Sequence, residues 1–241
     1  MPYKKNPTCR LSSELTRKIW RYMDITKFIA LLENRALFFP NIQLFPDPME
    51  GYLSTLTHAK LVFADLNLSE QEQRKSLEIK KRNLDILKSG RDSLYISAWH
   101  MNDNESVAMW RLYLKSDEGI AIQSTIQRFI SAISESDEVI NIGEVEYIDF
   151  NREETPCNNV LAPALFKRKS YEHEKEIRAI ILRPNGGEGI NVKIDTNMLI
   201  EKIYLAPGMP EWIYGLVGKI LKRYNLDKRI SSSSLDQVPM Y

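Results

Sequence analysis

The chain has 241 residues, of which 43% are apolar and 27% charged, and 33 basic against 32 acidic side chains leave a net charge of +1. That length allows one large domain or two small ones around a sizeable core, and the even balance of charge gives no global argument for a nucleic-acid or membrane partner. Cys9 and Cys157 are far apart and lack metal-ligand spacing, which argues against a disulfide framework and a zinc site. No apolar run follows the charges near Met1, and none approaches the roughly 18 residues of a membrane span, so the expectation is a cytoplasmic, reduced protein.

Residues 1–18, with Pro2, Pro7 and paired lysines, read as a loose leader. Ile19–Tyr22 reads as a short strand, and Asp24 as the N-cap of a helix whose Phe28, Ile29, Leu31 and Leu32 share a face as far as Asn34. Ala36–Phe39 is a second strand, stopped by Pro40. Phe45–Gly51 (Phe-Pro-Asp-Pro-Met-Glu-Gly) cannot be regular structure and reads as a rigid loop carrying Asp47 and Glu50. It is either a tight turn with Glu50 in solvent or a place where groups that position a substrate sit.

Residues 53–90 read as a mostly helical insertion, with a capping box from Ser69 to Glu72 and Gly90 closing the helix. Its Lys80-Lys81-Arg82 run reads as a solvated face. Ser93–Trp99 alternates as a strand, and His100 stands at its end, either hydrogen-bonded in a structural role or placed for chemistry. Asn104 or Asp103 is expected to cap the next helix, with Glu105 in its first turn and Trp110 and Tyr113 in the core.

Gly119–Thr125 is a strand ending in hydroxyls, Ser124 or Thr125 capping the helix that follows. Ile140–Phe150 reads as a strand kinked at Gly143, and Ala162–Lys169 as a short helix. After Leu182 a Gly-rich turn leads to the return strand Ile190–Ile194. Asp195 or Thr196 starts a short helix, Ile200–Leu205 is a strand, and a helix with Trp212, Ile213, Leu216, Val217, Ile220 and Leu221 follows. Arg229–Ser231 is a last strand, and residues 232–241 are a serine-rich tail. The expected architecture is a single α+β domain over 19–231, with a central mixed, mostly antiparallel sheet flanked by helices.

The stretch Phe166–Leu182 stands apart. Its first half is dense in charge, and Ile177–Leu182 is the near-continuous apolar run of a buried strand. Such charges are costly to bury unless they pair or do chemistry. Glu174 and Glu176 are two apart and, on a strand, share a face with Arg178. This is either an ion-pair ladder or a site.

Several chemistries lack their signatures. There is no Gly-x-Ser-x-Gly turn, no phosphate loop and no His cluster for a metal. A metal-dependent nuclease would have to use Asp149, Glu174 and Lys175, yet adjacent strand residues point oppositely. An Arg on an early strand, a hydroxyl on a middle one and Glu-x-Glu entering a late one suit another task. Arg neutralises a pyrophosphate, the hydroxyl fixes a sugar, and a glutamate stabilises an oxocarbenium-like state. This order is similar to the layout of the ADP-ribosyltransferase fold.

Four pieces resemble a bacterial domain-of-unknown-function family numbered 2971: Trp20-Arg21-Tyr22, Phe45–Gly51, Ser97–Trp110 with Tyr113, and Lys167 with Tyr171–Arg178. More distantly, the layout is similar to DNA-modifying ADP-ribosyltransferase toxins. That resemblance implies Glu176 as catalytic glutamate with Glu174 as its partner. It implies NAD as substrate, with Arg21 and Tyr22 near the nucleotide and Ser124, Lys167 and Arg178 completing its pocket. Asp47, Glu50 and His100 are the candidate substrate-positioning groups, and the acceptor would be a nucleic acid or a protein. No metal is expected. The enzyme would act as a toxin or phage-defence effector, and an oligomer or a cognate partner protein is compatible with it. The alternatives are a non-catalytic sensor or partner-binding module, in which the glutamates only pair with Lys167, Arg168 and Arg178, and the metal-dependent nuclease.

Overall fold

The structure, a computed structural model, describes residues 3, 5–63, 69–114 and 118–239. Residues 64–68 of the helical insertion, 115–117, three positions of the leader and the last two of the tail lie outside the described residues.

Strand β1 (Lys18–Asp24) runs straight into helix α1 (Ile25–Asn34), with Asp24 at the N-cap. Arg35 then takes a left-handed φ of 45° and turns the chain into β2 (Ala36–Pro40). The insertion holds α2 (Thr55–Phe63) and α3 (Glu70–Arg91), and the Ser69–Glu72 capping box is present. Gly90 does not close α3. The helix continues to Arg91, and the glycine is needed because a Cβ there would meet Val160 Cγ1 at 2.3 Å. Next come β3 (Leu94–Met101) and α4 (Val107–Tyr113). The N-cap of α4 is Ser106, whose hydroxyl accepts from the Met109 amide, rather than Asn104 or Asp103, and Glu105 precedes the helix instead of lying in its first turn.

Thr125 ends β4 (Gly119–Thr125) and caps α5 (Ile126–Ala132). The strand expected over 140–150 breaks at Val145 rather than Gly143, giving β5 (Asn141–Glu144) and β6 (Glu146–Ile148). The expected helix over 162–169 is a 3-10 turn, Ala162–Leu165, followed by β7 (Phe166–Arg168). After β8 (Glu176–Leu182) comes β9 (Gly189–Lys193), then α6 (Thr196–Leu199), β10 (Lys202–Leu205), α7 (Glu211–Arg223) and β11 (Arg229–Ser231).

Seven strands form one mixed, mostly antiparallel sheet in the order β11-β10-β4-β1-β3-β8-β5. β9 does not return along β8 as the Gly-rich turn led one to expect. It pairs with β2 in a separate two-stranded sheet, with Phe39 opposite Ile190.

One face of the large sheet carries the main core. Ile19, Met23, Trp99, Ile120, Ile122, Ile177, Ala179 and Ile181 meet Phe28, Leu31 and Leu32 of α1, Phe129 of α5 and Val217 of α7. Each such side chain, fully buried, is worth about 1.5–3 kcal/mol, and together they fix which face of every strand points inward. The opposite face has two smaller apolar patches. Trp20, Tyr22 and Ala121 pack under Met109 and Trp110 of α4, while Leu94, Ile96 and Ile180 pack under Ala164 and Leu165. Cys9 joins the second patch and the Arg10 carbonyl accepts from the Glu144 amide, so these leader residues are packed rather than loose. Among the described residues no helix is long and apolar enough to cross a membrane.

The sheet is not continuous. β1 pairs with β4 over its whole length, and β3 with β8 from Leu94 to His100. Between β1 and β3 only two pairs form, Ile19↔Met101 and Trp20↔His100. Beyond them the two halves of the sheet part.

Candidate functional site

Between the two apolar patches, the same sheet face carries His100, Glu176 and Arg178. Alternation puts Glu176 and Arg178 on this side of β8, with Ile177 and Ala179 in the main core. Glu174 is not on the strand. It ends a 3-10 turn, Lys169–Glu174, and Lys175 follows in the left-handed region at φ 41°. That reversal swings the Glu174 carboxylate back beside Glu176 by a route other than strand alternation.

The two meet at Lys167 of β7. Its Nζ lies 2.5 Å from Glu174 Oε2 and 2.7 Å from Glu176 Oε1. Arg178, wholly buried, donates from Nε to Glu176 Oε2 at 2.7 Å and from Nη1 to the Ala164 carbonyl at 2.6 Å. The Glu50 carboxylate reaches the same cations, 2.6 Å from Arg178 Nη1 and 3.8 Å from Lys167 Nζ. Its oxygens have no hydrogen bond of good geometry, so Glu50 acts by charge more than by direction. It is buried, which rules out the first of the two readings of this loop, a turn with Glu50 in solvent.

The rigid loop explains how Glu50 is turned inward. Asp47 Oδ1 accepts from the Met49 amide at 3.0 Å and pairs with Arg168 Nη2 at 2.6 Å. Gly51 has φ 70°, and a Cβ there would meet Ile42 Cδ1 at 2.4 Å. Arg91 Nε then donates to the Glu50 carbonyl at 2.9 Å, pinning the loop to the end of α3.

This packing pulls the two glutamates apart in proton affinity. Burial, then the hydrogen bond and charge of Glu176, push Glu174 up to about 7 against the pull of Lys167. Burial opposes ionisation of Glu176 as well, but Arg178, a hydrogen bond from Glu174 and the Lys167 charge overcome it and hold this carboxyl far below the usual range. Burial would lower Lys167 and Arg178, yet the facing glutamates keep both charged. The pair is thus one carboxylate that stays ionised and one that exchanges a proton near neutrality. Divergence of this kind separates acid–base from electrostatic roles in carboxylate enzymes.

His100 faces Glu176 across the β3–β8 ladder. Its Nδ1 is 2.6 Å from the Glu174 carbonyl, which can only accept, so Nδ1 carries the proton and Nε2 is a bare acceptor. Burial lowers its pKa despite that hydrogen bond. Tyr147, opposite Lys167 in the β6–β7 pair, accepts from the Glu176 amide at 2.7 Å. A cavity of about 590 Å³ opens at the head of β8, lined in part by Arg17, Lys18, Met101, Tyr147, Lys175 and Glu176.

The remaining expected residues are distributed differently. Arg21 projects to the main-core side of β1, where it donates to the Ser97 hydroxyl and to the Phe38 carbonyl, across the parting between β1 and β3. Burial, set against the nearby Tyr113 hydroxyl, lowers its pKa to about 10, so it stays charged. Tyr22 is on the site face, but its hydroxyl accepts from the Ser106 amide at the start of α4. Ser124 is not brought to the cluster; it is buried and donates to the Leu199 carbonyl.

The sequence marks Ser97 as a polar residue near a strand end without giving it a role, passes over Tyr147, and puts Tyr113 in the core. Tyr113 is 43% exposed. Burial and the charges of Glu176 and Glu174 raise its pKa, against Arg178 and Arg21. From the end of α4 its hydroxyl feels the charges of both Arg21 and the glutamate pair. Partial exposure at the end of α4 leaves no periodic signal by which it could have been found. Asp149 pairs with Arg152 at the surface, and among the described residues no group of three His, Cys, Asp or Glu is arranged to hold a metal ion.

No family model matches the chain, so the resemblance to family 2971 is not supported, and no curated protein matches. Among solved structures it is similar to Thermus sp. 2.9 DarT in complex with ADP-ribosylated ssDNA, at 11% identity and a TM-score of 0.44, over 95% of this chain and 100% of that one. The NAD+ complex of the same DarT matches at 9% identity and a TM-score of 0.42, with the same coverage.

Proposed function

We propose that this chain is an ADP-ribosyltransferase-like enzyme that consumes NAD and transfers ADP-ribose to a nucleic acid or protein. The observation that supports it is the glutamate pair: Glu174 and Glu176 meet at Lys167 Nζ, 2.5 and 2.7 Å away, and Glu176 borders a cavity at the head of β8. The solved structures are too distant to carry this reading.

In this mechanism the glycosidic bond between the ribose C1′ and nicotinamide breaks, and its electron pair leaves with nicotinamide. The ionised Glu176 stabilises the oxocarbenium-like ribose. The acceptor oxygen or nitrogen bonds to C1′, and its proton passes to Glu174. Arg21 at the parting, and Arg17, Lys18 and Lys175 around the cavity, are the cations available to the pyrophosphate.

One observation favours the non-catalytic module instead. Both oxygens of Glu176 already lie against cations, as in a structural ion-pair cluster. The deciding experiment is to incubate the protein with NAD, with and without DNA, RNA and cell lysate, and to assay free nicotinamide. Release that disappears in Glu176→Gln, with an added component required for it, is the expected result and identifies the acceptor class. No release, and no thermal shift with NAD, selects the module.

A further inference from the structure

The Glu105 carboxylate accepts four hydrogen bonds, and it belongs to no part of the chemistry above. Oε2 accepts from Trp110 Nε1 at 2.8 Å and from the Ser233 hydroxyl at 2.7 Å. Oε1 accepts from the amide and the hydroxyl of Ser234, at 2.5 and 2.6 Å. Two of the serines that the sequence consigns to a tail are therefore tied to the loop between β3 and α4.

We propose that Glu105 is a positioning residue, which latches the C-terminal segment onto α4 and so sets where Tyr113, the last residue of that helix, stands. The consequence for NAD rests on the function proposed above; the latch itself does not.

Three features carry the inference. First, α4 has only seven residues, too few to hold itself together, so its placement comes from its ties. Those ties converge on Trp110 and Ser106. The Trp110 ring meets Tyr22 edge-on at 4.8 Å and its indole N–H goes to Glu105, while the Ser106 amide donates to the Tyr22 hydroxyl at 2.8 Å. Secondly, the tail has little apolar anchorage of its own. Ile230 packs at the margin of the main core, but Leu235 is 43% exposed and Val238 82%; besides three β10–β11 pairs the segment has the bonds from the Tyr214 hydroxyl to the Ile230 carbonyl and from the Gly208 amide to Asp236. Charge-assisted hydrogen bonds to Glu105 are then the strongest single hold on it. Thirdly, Tyr113 is the last residue of α4, and its hydroxyl lies in the field of Arg21 and the glutamates. A shift of α4 moves that hydroxyl.

The test uses the full chain with Glu105→Gln, the double variant Ser233→Ala/Ser234→Ala, and Glu105→Asp as the conservative control. Gln keeps the size but turns an amide against donors. The latch is read by tryptic cleavage after Lys228 and Arg229, the coupling by hydrogen exchange of the α4 amides, and function by the KM for NAD in nicotinamide release. Losing a charge-assisted bond should speed both cleavage and exchange about tenfold in Glu105→Gln and in the serine double variant alike, with Glu105→Asp partly restored. KM should rise several-fold while kcat changes less.

Faster cleavage with α4 exchange unchanged overturns the proposal, because the tail would be tethered without positioning anything. So does loosening of α4 by Glu105→Gln alone, since Glu105 would then serve only Trp110. Exchange that rises with KM unchanged removes the role of Tyr113. If the wild-type protein releases no nicotinamide, the enzymatic reading falls, while cleavage and exchange still decide the latch.

Discussion

A single proton has opposite meanings for Glu174 and Glu176. The folded pKa of Glu174, about 7, lies above its ordinary 4.5, so folding takes up a proton there. Its contribution to stability is present below the ordinary value and is lost as pH rises through about 7. Glu174→Gln should therefore flatten the decline in melting temperature between those values, as thermal denaturation across pH will show. If Glu174 is the base, nicotinamide release with acceptor should climb through the same pH in the wild type and lose that limb in the variant. Glu176 is depressed, so its contribution is present above the ordinary value and is lost as pH falls. Glu176→Gln leaves Lys167 and Arg178 short of a buried counter-charge and should cost about 3–5 kcal/mol, measured by denaturant unfolding. Since that loss accompanies either reading of the cluster, residual NAD chemistry in the folded fraction is what separates them. Charge density in Phe166–Arg178 made these residues visible in sequence. Their pairing partner Glu50 lies more than a hundred positions upstream, and its burial was decided by Gly51 and Arg91.

Two short elements aim the site. Lys175 sits in a left-handed conformation that costs an ordinary residue about 1–2 kcal/mol. Lys175→Gly should be tolerated or stabilising, while Lys175→Val should destabilise by about that cost and displace Glu174, seen as loss of its titration near 7. The Phe45–Gly51 loop is rigid for reasons legible in its prolines, but it serves the cluster through Asp47. Asp47→Ala removes both the Met49 cap and the Arg168 partner and should cost about 1–3 kcal/mol, more than it weakens NAD binding by calorimetry. The elements the sequence misplaced show the limits of local pattern. β9 looked like the return of a β8 hairpin, yet strand alternation does not name a partner, and Phe39 and Val192 found more apolar surface by pairing β9 with β2. The break near residue 143 fell at Val145 because its amide still bonds the Glu176 carbonyl, while the Glu176 amide donates to the Tyr147 hydroxyl and does not return the ladder bond.

At the level of the molecule, the parting between β1 and β3 is the main architectural feature of the proposed enzyme. Arg21 spans it, bonded to Ser97 on one half-sheet while carried by the other. Arg21→Met should reduce the thermal shift produced by NAD, and it should loosen the halves, read as faster amide exchange at Tyr22 and Trp99. The mostly antiparallel α+β sheet, nearly all its strands and helices, and the concentration of charge before β8 were written in apolar periodicity, capping residues and composition, because those signals are local. Which strands adjoin, where the ladder stops, and that Arg21 and Ser124 stand apart from Glu176 while Glu50 joins it were decided by tertiary structure. Burial against distant segments chose those outcomes, and a side chain's neighbours across a sheet leave no mark in its own stretch of sequence.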